Sequence, residues 1–299
     1  MNTATSDFSR TAGRVDGLFH LVAGGLLAWT YLPTLAFYAR EHWDAANLQG
    51  AYAHAPLLLA AICWLAWQRR AVLSPELSGG LSPKGLLLLG AAAAARVYGD
   101  TQGYVVLQGM SVVPLLAGAL LVLYGEEGWR AMRAPVLLLL LVIPLPNAAL
   151  DALTQPLIDA TASMVVPLLG LCDIEVARTG QLLTVNARGS EELHEIIVAP
   201  ECSGIRSLVA LLAISGLIAS FGERSPGQAL LLLLLTPLIA MLANVTRVVG
   251  TIVLIVYVNP ASAESFFHSL SGVLLFVVAT GGIVWFDSLI GRSSRVGAR

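Results

Sequence analysis

Three short stretches combine residue types capable of covalent chemistry: "VAPECSGIRSL" at 198–208, "LANVTRVVG" at 242–250 and "ESFFHSLSG" at 264–272. Cys202 stands in the first, between Glu201 and Ser203, at the mouth of a long apolar run. A thiol there sits near a helix N-terminus, where unsatisfied N–H groups and the helix dipole favour an anion and lower a cysteine pKa. Arg206, about one turn further on, adds positive charge, and Ser203-Gly204 suits close approach of backbone to a bound chain. Arg247 follows Asn244 and Thr246 inside apolar sequence, where charges are rare and mark function. His268 opens the last apolar run. Together, thiol, guanidinium and imidazole supply a nucleophile, an oxyanion stabiliser and a general acid/base. The bland alternatives are a buried structural cysteine, an arginine snorkelling to the interface and a histidine cap.

The elements that position these groups belong to a membrane. The chain has 299 residues, 57% hydrophobic and only 12% charged, about half the charge of a soluble domain. Its apolar runs predict an all-α polytopic membrane protein with about eight transmembrane helices, forming one integral domain over 1–299. The spans are expected near 17–39, 51–68, 83–98, 103–124, 131–146, 203–221, 228–246 and 267–290. The first run is too long for a signal-peptide core and is read as retained. A net charge of −2 offers no basic surface to nucleic acid. Cys63, Cys172 and Cys202 are too scattered for a zinc site, and no metal or organic cofactor is expected. Placing the N-terminus inside leaves eleven of the 17 Lys and Arg in cytoplasmic segments. That orientation gathers Cys202, Arg247 and His268 at the extracytoplasmic level of an inner membrane.

Two segments fit poorly as simple spans. "DALTQPLIDATASMVVPLLG" at 151–170 carries Asp151, Gln155 and Asp159 on one face and is read as a helix in the outer interface. The run at 248–259 is short and is read as re-entrant or interfacial; the alternative is that both segments cross. Between them, 172–201 alternates polar and apolar residues and predicts two or three short strands, a small extracytoplasmic β-containing cap.

Cys-Ser-Gly, Asn-x-x-Arg and a later His, in this order and spacing, resemble the exosortase/archaeosortase family of membrane transpeptidases. "AYAHAPLLLAAICWLAWQRR" resembles its early His-containing span, here with His54-Ala55 where His-Gly is expected. "IPLPNAALDALTQPLIDATASMVVPLLGL" resembles the Pro-rich stretch before its catalytic loop. The resemblance covers roughly 50–290 and implies Cys202, Arg247 and His268 as the catalytic set. Glu201, Ser203, Arg206, Asn244 and His54 are candidate substrate or support residues. The implied substrate is an exported protein with a C-terminal sorting signal (PEP-CTERM-like): a short Pro-containing motif, a membrane helix and a basic tail. The product would be joined to an unknown nucleophilic surface acceptor, with membrane lipids as the surrounding partner. Competing classes are a transporter, a membrane assembly factor, and a surface-polysaccharide glycosyltransferase using outer-loop carboxylates such as Glu191, Glu192 and Glu195. The absence of a visible repeat and the rim position of the polar residues weigh against transport.

Overall fold

The computed structural model describes residues 25–43, 52–73, 82–187, 192–197, 204–222, 224–258 and 268–296. Helix α1 covers 25–41, followed by α2 (Ala55–Arg69), α3 (Pro83–Thr101), α4 (Val105–Met110) and α5 (Val112–Leu138). After α6 (Asn147–Gly170) come strands β1 (Ile174–Thr179), β2 (Leu182–Ala187) and β3 (His194–Ile197). Helices α7 (Ile205–Phe221), α8 (Pro226–Tyr257) and α9 (His268–Val296) complete the fold. The protein is mostly helical, as expected. Four helical stretches among the described residues are long and apolar enough to cross a membrane: Val105–Leu141, Ala148–Gly170, Pro226–Tyr257 and Val273–Ile290.

The first of these stretches is a hairpin rather than a rod. Gly125 adopts φ 67, ψ −165, a conformation open to glycine but not to residues with a Cβ, and it interrupts α5. A straight helix over Val105–Leu141 would place its ends about 55 Å apart. Instead, the Tyr38 hydroxyl donates to the Val105 carbonyl, while the Trp43 indole donates to the Val142 carbonyl. Tyr38 and Trp43 share one buried cluster with Leu58, Leu138 and Ile143. The chain therefore reverses at Gly125, dividing the stretch where the sequence separates 103–124 from 131–146.

Helix α8 corrects one expectation. The part of 248–259 that is described does not form a separate re-entrant piece, because Pro226–Tyr257 is one helix of 32 residues, started by a Ser225–Gln228 capping box. At 1.5 Å per residue it is about 48 Å long, more than a hydrocarbon core of about 30 Å. Its second half packs beside the second half of α6 and the sheet. Ile158, Val165 and Leu169 share a buried cluster with Leu183, Val185, Val245, Val248 and Ile252. Thr161 touches Asn244, and the Tyr257 hydroxyl donates to the Cys172 carbonyl. Two such contacts along their length align α6 with α8, so α6 does not lie across the bundle as an interfacial helix at 151–170 would.

The polar face of α6 has a partner that the sequence reading lacked. Arg178 of β1 pairs with Asp159 at 3.1 Å, and Gln181 donates to Gln155 at 2.7 Å. The cap expected within 172–201 is present as an antiparallel sheet in the order β1-β2-β3. Helices α7, α8 and α9 pack through Leu211, Leu232, Ala240 and Ile283. A bidentate Arg224–Asp287 pair, at 2.8 and 2.7 Å, ties the connection after α7 to α9.

Candidate functional site

Two helices meet where the motifs fall. Gly204 caps α7 in the left-handed region, with φ 79, and its α-carbon faces Asn244 of α8. A Cβ built there would lie 3.0 Å from Asn244 Cγ and 3.1 Å from Asn244 Cβ. Only glycine meets both conditions, a positive φ and a neighbour this close. Gly204→Ala should therefore push α7 away from Asn244 and cost activity well out of proportion to stability. The check compares activity with thermal melting of the purified chain in detergent, and equal, proportionate losses would show a purely structural glycine.

Asn244 is the hinge of the polar cluster. It is 5% exposed, and its amide nitrogen donates to Thr161 Oγ1 of α6 at 3.2 Å. Its amide oxygen accepts from Arg247 Nη2 at 2.9 Å. One side chain thus connects α6, the start of α7 and the arginine one turn further along α8. Asn244 and Arg247 each engage further groups as well. An arginine has five N–H donors in a fixed plane, so committing one to Asn244 sets the orientation of the rest. Thr246 turns away: it is exposed, and its hydroxyl donates to the Leu242 carbonyl.

Beside this cluster lies a cleft of about 20 Å³, lined by Ser207, Asn244, Arg247, Leu275 and Phe276. That is room for about one water. The wall from α9 places His268, the first residue of that helix, seven residues before Leu275, about 10 Å along the axis. Only the backbone of His268 is described. Glu201, Cys202 and Ser203 lie outside the described residues. Arg206 is half-buried in the first turn of α7, and its neighbour Ser207 is the residue that lines the cleft.

No described contact brings His54 to this cluster. It precedes α2, with its ring stacked on Tyr52 at 6.1 Å, and its Nε2 is buried with no hydrogen-bond partner among the described residues. The Tyr52 hydroxyl accepts from the Leu145 amide at 3.0 Å, tying this corner to the segment leading into α6. Thr161 and Ser207 were not singled out from the sequence. Ser207 sits one turn past Ser203, which is a usable signal, whereas Thr161 carries none.

Among the described residues, no group of three His, Cys, Asp or Glu side chains is arranged to hold a metal. The cluster offers an oriented guanidinium beside the N-terminus of the apolar helix α7, an arrangement suited to stabilising negative charge on oxygen. The family profile for transmembrane exosortase (Exosortase_EpsH) matches residues 43–285, most of the chain. No curated protein and no solved structure matches it.

Proposed function

The chain belongs to the transmembrane exosortase family, and from that premise we propose that it is a membrane cysteine transpeptidase acting on C-terminal sorting signals. The Cys202 thiolate attacks the scissile carbonyl of the substrate, and Arg247 stabilises the oxyanion that forms. His268 gives a proton to the departing amine as the C–N bond breaks, leaving a thioester on Cys202. An acceptor nucleophile then loses its proton to His268 and attacks the thioester. A new acyl bond forms, and the Cys202 thiolate is released.

The contact between Gly204 and Asn244 supports this most directly. Chain connectivity holds Cys202 within about 7 Å of Gly204, since two residues span no more than that. Asn244 in turn holds Arg247. Gly204 of Cys-Ser-Gly and Asn244 of Asn-x-x-Arg, 40 positions apart, are therefore direct neighbours.

We place about eight crossings in an inner membrane, with this cluster on the extracytoplasmic side. Arg69, Arg130, Arg133 and Arg224 gather at the Pro226 end of α8. Arg247 lies 21 residues further along, about 31 Å, close to the thickness of a hydrocarbon core. The basic end is then cytoplasmic by the positive-inside bias.

With Cys63 and Cys172 replaced by serine, a membrane-impermeant maleimide is expected to label Cys202 in cells whose inner membrane is intact. Labelling that appears only after the inner membrane is broken would invert this orientation.

A further inference from the structure

At the opposite end of α8 from Arg247 is a crevice of about 540 Å³, between α2, the second half of α5, α7 and the start of α8. Its rim holds Arg69, Arg130, Arg133 and Arg224, while its floor is formed by apolar residues such as Leu138, Leu141 and Leu233. The four guanidiniums are not equivalent. Arg69 donates to the carbonyls of Ala131 and Ser220, fastening α2 to α5 and α7. Arg224 is committed to Asp287 at 2.7 Å. Arg130 and Arg133 are exposed, lie one helical turn apart, and have no ion-pair or hydrogen-bond partner among the described residues. The start of α8, at Pro226, adds the positive end of a helix dipole to the same rim.

We propose that this crevice binds an anionic phospholipid, its phosphodiester on Arg130 and Arg133 and an acyl chain against the leucine floor. A basic pocket between membrane helices fits such a headgroup, and two guanidiniums at i, i+3 can each offer paired N–H donors to phosphate oxygens. Free phosphate would satisfy the rim but leave the apolar floor wet. An acidic protein segment would satisfy the rim too, but would bring carboxylates and amides against leucine. Only a lipid carries both chemistries in the order the crevice presents them. The site is distinct from the Asn244–Arg247 cluster and does not depend on the reaction assigned to it.

The test is native mass spectrometry of the purified full chain, released from detergent after incubation with phosphatidylglycerol or phosphatidylcholine. The wild-type chain is expected to keep phosphatidylglycerol preferentially. The Arg130→Gln/Arg133→Gln double variant, at exposed positions, should retain roughly tenfold less of it. Ala134→Phe, which fills the floor but keeps every arginine, should weaken retention too. Arg70→Gln, which removes one charge at an arginine outside the crevice, should change nothing. Millimolar glycerol phosphate should fail to displace the lipid. Equal retention by the double variant, no preference over phosphatidylcholine, a loss with Arg70→Gln as large as with the pair, or displacement by glycerol phosphate would each overturn the proposal.

Discussion

Cys202→Ala is expected to abolish processing of a co-expressed sorting-signal substrate, a fall of at least about 10³-fold, because the proposed mechanism carries the acyl intermediate on this sulfur. Cys63→Ala and Cys172→Ala should be tolerated. Cys63 is exposed on α2, and Cys172 packs beside the buried cluster that joins α6, α8 and the sheet, while its carbonyl accepts from Tyr257. Cys202→Ser should also fail, since an alcohol at this position lacks the stabilised anion available to a thiol. His268→Ala should slow both halves of the reaction, because one imidazole serves the leaving amine and the incoming nucleophile. Immunoblotting of substrate size, with enzyme levels measured in the same membranes, checks all five variants. Normal processing by Cys202→Ala would remove the thiol mechanism.

Arg247→Lys carries the second large effect. Lysine keeps the charge but loses the planar donor set that Asn244 orients at 2.9 Å. A loss on the order of 10²-fold in kcat/KM is expected, the scale of removing one oxyanion donor. The variant should still accumulate in the membrane. Asn244→Ala should cost less, about tenfold, because Arg247 keeps its charge and loses only one orienting partner. It would also free Thr161 on α6. Near-normal turnover by Arg247→Lys would make this arginine an interface anchor.

Much of the architecture was legible in the sequence because apolar length and alternation are local signals. The strands at 174–197 and the start of α7 at the Ser-Gly pair follow directly from them. Arg247 misled the reading of α8. A charge inside an apolar run marks an end on hydropathy, yet the helix continues through it because Asn244 provides the guanidinium with a partner within one turn. The polar face of α6 also has partners that hydropathy does not register. Gln155 and Asp159 are exposed, as the sequence predicts, and they also bond Gln181 and Arg178 of the cap. Both cases share a physical cause: hydropathy cannot see a protein partner. The Asn244–Thr161 bond joins residues 83 positions apart, and no local pattern encodes it. The Gly204–Asn244 contact is equally silent in either motif alone.

The central claim, an acyl-enzyme on Cys202 beside an oriented Arg247, is tested most directly by peptide mass spectrometry of the enzyme. Purified chain would be quenched with acid during turnover of a synthetic peptide carrying the Pro-containing motif and part of the membrane helix. The fragment containing Cys202 should gain the mass of the N-terminal substrate portion, less one water, and lose it on treatment with hydroxylamine. Substrate turned over while the Cys202 fragment stays unmodified throughout the time course would contradict the mechanism.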